Sequence, residues 1–550
     1  MTIGIEVAVR GVEDRVIPPP EREDRGMVRS YNPADLLEIM TAAAPARPAL
    51  VAGAERRTFA QLNERASRVG RHLADAGVRA GEHVAILAHN RAEWIEAMFG
   101  AFKIRAVPIP VNYRYVAAEL RHVLADSDSV ALIGECSLLA KIEEIRGELP
   151  KLRHVVGLDD GSGVEFPGAV PYEAALADAE PDGDFPERSN DDRYIMYTGG
   201  TTGHPKGVEW RCEDIFFGAL GGGNVFGDPI GSPEELAANA DQPATAVLDC
   251  APVMHGAGQW VAFMGLFSGA KVVLYTDRAF DADKALKLVA EERANVLMVV
   301  GDVMARPVAD ALAAGDYDVS SLLGIASGGA PLTDGVKRTL RGLLPNIMFL
   351  DNYGASETGA CGPSVDGKDG TARFMMDPDV TVLDDDLNVV APGEIGRLAR
   401  SGHIPVGYYN DPEKTASTFF TAADGTRWSI PGDFATRQED GTIVLLGRGS
   451  LVINTGGEKV YPEEVEVALK DHPDVHDAVV VGLPDERFGQ RVAAVVAPRP
   501  GATVTLDELT GHCRGRLAGY KLPRQLKVVD EVQRTAVGKS DYKWARSVLA

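Results

Sequence analysis

A glycine- and threonine-rich run follows a short apolar stretch in the first half of the chain. Residues 194–197 read Tyr-Ile-Met-Tyr, and residues 197–208 read Tyr-Thr-Gly-Gly-Thr-Thr-Gly-His-Pro-Lys-Gly-Val. Glycines let the backbone bend so that several N–H groups point into one concavity, and such concavities bind anions. The run therefore predicts a strand that leads into a polyphosphate-binding loop. It is not the common P-loop, because Pro205 precedes Lys206 and Gly207 follows it. The predicted phosphate contacts are Thr198, Gly199, Gly200, Thr201, Thr202, Gly203 and Lys206.

Length and charge limit the classes of protein that this chain can belong to. Its 550 residues suggest two to four core units. A net charge of −24 argues against sequence-independent nucleic-acid binding and against docking on anionic lipid, because both need an excess of Lys and Arg. An acidic protein that binds polyphosphate must therefore concentrate its positive charge locally.

The cysteines and the N-terminal segment indicate the cellular compartment of the protein. Five cysteines without a CxxC pair favour free thiols in a reducing cytosol over a disulfide framework or a zinc site. Residues 1–7 lack the basic region of a signal peptide, and the apolar segment 260–275 is too short to span a membrane. We expect a cytoplasmic protein without a transmembrane segment.

The order of helical and strand patterns predicts the fold class. Residues 1–30 read as an N-terminal arm, and residues 31–170 and 190–370 each alternate between helical and strand patterns. Residues 375–448 change to short β-rich runs separated by Pro-Gly and Asp-Gly turns. The last hundred residues alternate again. We therefore expect an α/β fold, in which a large N-terminal domain of two layered α/β subdomains and a small β subdomain precedes a small α+β domain. The expected boundaries are 31–448 for the large domain and 449–550 for the small one.

Five further segments have unusual combinations of glycine, charged and aromatic residues. Each one alone has an ordinary structural interpretation: a histidine beside apolar residues is typical of a core, and a Gly-Gly pair is typical of a tight turn. Their order along the chain is what draws attention. They are residues 251–257 (Ala-Pro-Val-Met-His-Gly-Ala), 327–332 (Ser-Gly-Gly-Ala-Pro-Leu), 351–358 (Asp-Asn-Tyr-Gly-Ala-Ser-Glu-Thr), 430–433 (Ile-Pro-Gly-Asp) and 447–466, with Arg-Thr-Ala-Val-Gly-Lys at 534–539 near the C-terminus.

Over nearly its whole length the chain resembles the acyl-adenylate-forming, AMP-binding superfamily, and within it the acyl-CoA synthetases. Residues 301–307, 404–409 and 206–211 are most similar to actinobacterial fatty-acyl and steroid side-chain CoA ligases. The resemblance implies an ATP-dependent acid–thiol ligase that uses Mg²⁺ and coenzyme A and acts on a large apolar carboxylic acid. A homodimer is left open. In the family the small domain rotates about a hinge, which falls here on Ser450, where relatives usually carry Asp or Lys.

The resemblance also implies residue roles. Tyr353 offers an aromatic face for adenine, Glu357 a hard carboxylate for magnesium, and Asp433 an acceptor for the ribose hydroxyls. His255 lies near the acyl carboxylate, Lys539 reaches the α-phosphate, and Lys206 supplies positive charge with the threonine loop. The remaining nucleotide and pantetheine contacts implied by the resemblance are Gly328, Gly329, Ala330, Asn352, Gly354, Ser356, Arg448, Thr455, Gly456 and Gly457.

Three other functions share these motifs. An adenylation enzyme that loads a carrier protein would not depend on free CoA, and a luciferase-like oxidase would consume oxygen. A non-catalytic nucleotide sensor is expected to have lost charges, yet Lys206, Glu357, Asp433, Arg448 and Lys539 are all present. The glycines at 221–223 either leave room beside the acyl group or form an ordinary loop.

Overall fold

A computed structural model describes residues 29–181, 184–199, 204–225, 227–329, 332, 334–365, 373–448, 453–460, 462–470, 472–533 and 541–550. Within these ranges the chain forms four β-sheets covered by helices, which confirms the α/β fold class. No helix in the described ranges is long and apolar enough to cross a membrane.

The first sheet is fully parallel and lies in the N-terminal part of the chain. Its apolar strands are buried on both faces by helices, as is usual for parallel sheets. Thr58 caps the amphipathic helix Phe59–Asp75 in a reciprocal capping box with Gln61. In spatial order the strands are Val107–Pro110, His83–Leu87, Ser129–Glu135, His154–Leu158 and Val170–Pro171, and the helices of this part are Phe59–Asp75, Ala92–Lys103, Ala117–Asp126, Cys136–Glu143 and Tyr172–Ala177, with a 3₁₀ turn at Arg146–Glu148.

The second sheet contains fifteen strands and changes from parallel to antiparallel at Met348–Ala355. It takes two early strands, Pro48–Ala52 and Glu55–Thr58, from the region assigned by sequence to the first subdomain. Leu50 pairs with Val272 in the parallel ladder. The short β strands after residue 373 continue the same sheet. In spatial order the strands are Glu55–Thr58, Pro48–Ala52, Lys271–Leu274, Ala246–Asp249, Val296–Val299, Gly324–Ser327, Met348–Ala355, Gly359–Val365, Arg373–Met375, Thr442–Arg448, Asp433–Arg437, Ile395–Arg400, Arg427–Ser429 and Phe419–Thr421, with Val380–Leu383 beside Ile395–Arg400.

Seven helices and two 3₁₀ segments accompany the second sheet in the described ranges. Those that follow its parallel strands pack on its two faces around separate apolar clusters. The helices are Pro33–Ala43, Cys212–Ala219, Gly256–Phe267, Ala282–Glu292, Gly301–Ala314, Asp334–Leu343 and Pro412–Thr418, and the 3₁₀ segments are Gly221–Gly223 and Pro233–Asp241.

A three-stranded antiparallel sheet carries the glycine-rich run. Arg193–Gly199 and Pro205–Arg211 form a hairpin, and Gly407–Tyr408 adds to its edge. The predicted strand before the loop is confirmed. The loop joins two paired strands instead of leading into a helix.

The C-terminal part forms a sheet of its own. Along Val475–Asp485, alternate residues face opposite sides: Val479 and Val481 pack with the helix Tyr542–Leu549, and Val480 packs with the other two helices. The strands are Glu458–Val460, Ile453–Thr455, Gly489–Pro498 and Val475–Asp485 in spatial order, with Gln525–Val528 also beside Gly489–Pro498; the helices are Pro462–Lys470, Leu506–Cys513 and Tyr542–Leu549, with a 3₁₀ turn at Gly519–Lys521.

Candidate active site

The hairpin places Thr198 directly opposite Lys206 at the base of the predicted phosphate loop. Gly199 ends the first strand, whereas Gly200, Thr201, Thr202 and Gly203 lie outside the described residues. The Lys206 amine donates to the carboxylate of Asp411, which also caps the helix Pro412–Thr418 by accepting from the backbone N–H of Lys414 at 2.8 Å. Burial alone would raise the pKa of Asp411, but the hydrogen bonds from Lys206 and from the Lys414 backbone, together with the charges of both lysines, outweigh burial and hold that pKa below its usual value.

The predicted magnesium ligand, Glu357, lies in a turn between the antiparallel strands Met348–Ala355 and Gly359–Val365. Its side chain is buried, and the hydroxyl of Tyr408 donates to its Oε1 at 2.9 Å. Tyr408 and Asp411 belong to the same turn, since the Asp411 N–H donates to the carbonyl of Tyr408 at 3.3 Å. The structure therefore connects two predicted site residues, Glu357 and Lys206, through one short segment.

Hydrogen bonds to the backbone fix the turn that carries Glu357. The Ser429 hydroxyl donates to the Glu357 carbonyl at 2.6 Å, and the Trp210 indole N–H donates to the Ser356 carbonyl at 3.0 Å. Trp210 comes from the strand that also carries Lys206. Asn352, Tyr353 and Gly354 lie on the strand before the turn, and the Tyr353 ring lies 5.6 Å from that of Phe374.

The predicted ribose-binding residues lie opposite each other on neighbouring strands. Asp433 pairs with Arg448 in the antiparallel ladder of Asp433–Arg437 and Thr442–Arg448. Asp433 is buried and follows Gly432, whose φ of +100° suits glycine. The pairing brings both backbones to the same end of the ladder.

His255 lies at the start of the helix Gly256–Phe267 and faces the C-terminal domain. Its Nε2 is 3.2 Å from Oε1 of Glu458, which also accepts from the guanidinium of Arg114. Burial would raise the pKa of Glu458, but the charges of His255 and Arg114 outweigh it and lower this pKa to about 2. Glu458 therefore stays ionised at neutral pH.

A tight glycine turn precedes Glu458 and packs against the large domain. Gly456 and Gly457 have φ of +60° and +84°, and the Gly456 N–H donates to the carbonyl of Phe488 at 2.9 Å. A Cβ on Gly457 would lie 2.4 Å from Cγ1 of Val300, so no larger residue fits this contact unaltered. Thr455, just before the turn, is buried.

Val300 is also a neighbour of the second predicted glycine pair. A Cβ on Gly329 would lie 3.9 Å from Cγ1 of Val300, and one on Gly328 would lie 3.4 Å from the Cβ of Ala257. Two predicted glycines, Gly329 and Gly457, from segments about 130 residues apart, therefore lie beside one valine. Ala330, of the same predicted segment, lies outside the described residues.

Apolar side chains form a wall beside His255. The buried members belong to the ends of three neighbouring parallel strands or follow them directly, and the helix Gly256–Phe267 covers them. Such a wall suits the body of an apolar acid. Its members are Ala251, Met298, Val300 and Ala326, together with Ala257, Val261, Val303, Met304 and Leu350.

The glycines at 221–223 do not leave the room that one interpretation of the sequence expected. All three have positive φ, and a Cβ on Gly222 or Gly223 would lie 2.8 Å from Pro229 or Ile230. The segment is a tightly packed turn, which is the ordinary interpretation.

Two further predicted residues lie outside the described ranges, namely Lys539 and the hinge residue Ser450. Conversely, sequence reasoning did not single out Arg114, Tyr408, Asp411 or Glu458 as site residues. Glu458 had the clearest available signal, because it follows the Gly456-Gly457 pair directly. The others contact the site through partners more than fifty residues away, which the sequence does not reveal.

Comparisons with known proteins show the family to which the chain belongs. Residues 37–409 match the family described as AMP-binding enzyme, and residues 464–539 match its C-terminal domain. The chain is 46% identical over 534 residues to a 3-oxocholest-4-en-26-oate–CoA ligase of Rhodococcus rhodochrous, covering 94% of this chain and 96% of that one. It is also 46% identical over 531 residues to a medium/long-chain-fatty-acid–CoA/3-oxocholest-4-en-26-oate–CoA ligase of Mycobacterium tuberculosis, again covering 94% and 96%.

One solved structure in particular has a similar shape over almost the full chain. It is an o-succinylbenzoate CoA synthetase of Bacillus subtilis, a double mutant bound with its product analogue. The TM-score is 0.77 and the identity 25%, and the match covers 93% of this chain and 97% of that one.

Proposed function

Because the chain belongs to the AMP-binding enzyme family, we propose that it is an ATP-dependent ligase that joins a large apolar carboxylic acid to coenzyme A. A carboxylate oxygen attacks the α-phosphorus of ATP, and pyrophosphate leaves. The CoA sulfur then attacks the acyl carbonyl, the thiol proton is released, and AMP leaves. The observation that carries the proposal is the meeting of Gly457 and Glu458 with Val300 and His255, beside the nucleotide segments.

Charge for the first step comes from a small number of groups. Lys206 and Lys539 are the cations we assign to the phosphates, and catalysis between two anions depends mainly on positioning and charge stabilisation. Lys206 is held by Asp411 in this arrangement and must exchange that partner for phosphate oxygens when ATP binds. Removing one preorganised donor of this kind typically costs ~10²–10³ in rate.

The donor chemistry at Glu357 fits a magnesium ion. Mg²⁺ is usually held by one or two carboxylates, water and substrate phosphates, and Glu357 supplies a buried carboxylate that Tyr408 orients. When bound, the ion neutralises phosphate charge.

Support for the second step comes from the small domain. We assign residues 31–448 to a large domain and 449–550 to a small one that rotates about a hinge near Ser450. In the described arrangement Gly457 packs against Val300 of the acyl wall, so this is the arrangement we assign to thiol transfer.

The substrate class follows from the wall beside His255. All its members are apolar, and the two relatives are named for medium- and long-chain fatty acids and for a steroid side-chain acid. We propose an acid of this class. All five cysteines are free thiols, which supports a cytoplasmic location.

Mass spectrometry of reactions with ATP, Mg²⁺ and a panel of acids tests the proposal. The panel runs from acetate through dodecanoate and palmitate to a C26 steroid acid, each with and without CoA. We expect acyl-AMP without CoA, and acyl-CoA with stoichiometric AMP when CoA is present. Acyl-AMP that never becomes acyl-CoA would assign another acceptor, such as a carrier protein, and preference for acetate would refute the substrate class.

The assignment of Lys539 has its own test. Lys539→Ala should abolish formation of dodecanoyl-adenylate from ATP and dodecanoate, because the α-phosphate loses a cation. Conversion of supplied dodecanoyl-adenylate to dodecanoyl-CoA should remain largely intact. Equal loss of both half-reactions would reject this role.

A further inference from the structure

We propose that Glu119 is a positioning residue for thiol transfer, because its carboxylate receives Lys521 of the small domain and fixes where that domain docks. This inference rests on the proposed function, since it assigns a part of the second half-reaction to a residue outside the nucleotide and acyl segments. It comes from a buried contact between the two domains, formed by Glu119, Lys521 and Glu464.

The large domain holds the Glu119 carboxylate ready before any partner arrives. Glu119 lies in the first turn of the helix Ala117–Asp126, and its Oε2 accepts from the backbone N–H of Val116 at 3.2 Å. This bond points the second oxygen, Oε1, away from its own helix. Oε1 lies 2.8 Å from Nζ of Lys521, and the Glu119 residue is 7% exposed.

The small domain supplies a lysine that has a second, permanent partner. Lys521 is 2% exposed, and its Nζ is also 2.8 Å from Oε2 of Glu464, in the helix Pro462–Lys470 of the same domain. Burial alone would lower the pKa of Lys521, but the carboxylates of Glu464 and Glu119 outweigh it and raise this pKa above its usual value. The ring of Tyr115, 5.3 Å away, adds a cation–π contact.

A second ion pair of opposite polarity lies on the same segment of the large domain. Arg114 pairs with Glu458, five residues before the Glu119–Lys521 pair. Lys141 holds the segment between them by donating to the carbonyls of Tyr113 and Tyr115, the latter at 2.9 Å. The large domain therefore presents a cation and then an anion, and the small domain presents the complement. Such alternation fixes register, because a shifted docking would place like charges together.

The chemistry of Glu119, Lys521 and Glu464 suits a contact that forms when the small domain docks and breaks when it turns away. Burying an ion pair costs desolvation that its attraction barely recovers, so such a pair selects a geometry more than it adds affinity. When the small domain turns away, Lys521 keeps Glu464, and Glu119 returns to water. Neither state then leaves a buried charge alone, so the pair positions the domain without trapping it.

The test measures the two half-reactions separately in Glu119→Gln. Adenylation is followed as pyrophosphate release with dodecanoate and ATP, and thiolation as CoA ester formed from supplied dodecanoyl-adenylate. We expect thiolation to fall roughly tenfold, because the amide loses the charge that meets Lys521, and adenylation to stay within about twofold. As a matched control, Glu148→Gln breaks an exposed pair with Arg121 of the same helix and should change neither rate.

A double variant separates positioning from folding. Lys521→Gln should slow thiolation more than Glu119→Gln, because it leaves the Glu119 and Glu464 carboxylates facing each other without a cation. Adding Glu119→Gln to Lys521→Gln should then restore part of the lost rate, an effect that a purely structural role does not produce. Equal loss of both half-reactions in Glu119→Gln, or additive losses in the double variant, would overturn the inference. Wild-type enzyme that makes no acyl-CoA from any acid would instead overturn the proposed function.

Discussion

Two clusters of buried charged side chains each hold two surfaces of this molecule together. We call each cluster a joint, and the two joints differ in where they lie. The first joint lies within the large domain and fixes its helix Pro33–Ala43. Arg188 is 2.8 Å from Asp35 and 2.6 Å from Glu38, and Lys103 is 2.6 Å from Glu38. All four groups are on elements of one domain, so they stay buried in every folded arrangement.

The second joint crosses the boundary between the domains. Its members are Glu119 on one side, and Lys521 and Glu464 on the other. Here one carboxylate can return to water while the remaining pair stays together. The difference teaches that a buried ion pair within a domain should govern stability, whereas one across the boundary that we propose moves should govern how fast each half-reaction runs.

The largest effect is expected from breaking the first joint. Arg188→Met would remove the buried cation that Asp35 and Glu38 share and leave them only the more exposed Arg29 in common, and removing one partner of a buried pair costs ~3–5 kcal/mol. We expect the free energy of unfolding of the large domain to fall by about that amount, with the ratio of the two half-reactions unchanged. Urea unfolding followed by tryptophan fluorescence measures the loss. Four of the five tryptophans precede residue 449.

An exposed pair provides the control for this variant. Arg121→Met breaks the pair with Glu148, whose side chain is 55% exposed, and should cost less than about 1 kcal/mol. An unfolding midpoint of Arg188→Met equal to that of the wild type would show that the two joints do not differ as described.

The next effect should appear at the moving boundary alone. In Gly457→Ala the new Cβ would meet Val300 at 2.4 Å, and overpacking of this kind costs ~1–3 kcal/mol. We therefore expect thiolation of supplied acyl-adenylate to fall roughly ten- to hundredfold while adenylation is retained. Val300→Ala in the same chain should restore part of the rate by removing the clashing methyl groups.

Gly441 is the matched control for backbone strain. Its φ of +83° is nearly that of Gly457, yet a Cβ there would meet nothing within 4 Å. Gly441→Ala should leave the ratio of the half-reactions unchanged. If both alanine variants lowered thiolation alike, the contact with Val300 would not be the cause.

Local patterns predicted much of the fold. The strand Gly324–Ser327 and the helix Asp334–Leu343 coincide with strand and helical patterns in the sequence, because apolar periodicity and flanking glycines are local signals. The helical pattern of residues 506–517 extends beyond the helix itself, which ends at Cys513. Ends of elements depend on capping and packing as well as on periodicity.

Contacts between distant segments could not be predicted in this way. The pairing of Pro48–Ala52 with Lys271–Leu274 joins parts of the chain that sequence reasoning assigned to different subdomains. Lys521 looks like one more surface lysine until a carboxylate about four hundred residues away is placed beside it. The motifs predicted the reacting segments, but only the folded structure reveals the residues that lie between the two domains.

A smaller effect should follow from neutralising Glu458. In Glu458→Gln the Arg114 guanidinium loses its anionic partner at the boundary, and since Arg114 is partly exposed we expect thiolation to fall only a few-fold. Adenylation should stay unchanged. A larger loss in adenylation than in thiolation would contradict this placement.

The pH dependence of the two half-reaction rates also tests the placement of Glu458 between the domains. Docking lowers the pKa of Glu458 from the ordinary 4.5 to about 2, so its contribution is complete above pH 4.5 and is lost as the pH falls towards 2. The contribution of Glu458 to the ratio of the thiolation rate to the adenylation rate should therefore stay constant between about pH 5 and 8. A midpoint near pH 6 in wild type and Glu458→Gln alike would assign the pH dependence to another group.

The smallest effect concerns a buried carboxyl that fits neither kind of joint. Asp249 is fully buried at the end of Ala246–Asp249; its Oδ1 accepts from the Ala251 N–H at 3.0 Å, and its Oδ2 has no partner among the described residues. Burial raises the pKa of Asp249 well above its usual value, so the folded protein binds a proton that the unfolded chain releases. Stability is therefore lost as the pH rises from the ordinary carboxyl range towards the raised pKa.

Asp249→Asn removes that proton and should flatten this slope. The gain in the free energy of unfolding of Asp249→Asn at pH 7 should be small, because the unpaired amide N–H groups of the new side chain cost ~1–3 kcal/mol. The readout is the difference in unfolding free energy between variant and wild type, which should favour the variant more at pH 7 than at pH 4. The exposed Asp310→Asn is the control and should show no such difference. A difference for Asp249→Asn that is the same at both pH values would mean that this carboxyl has found a partner, and that the large domain contains a third joint of buried polar groups.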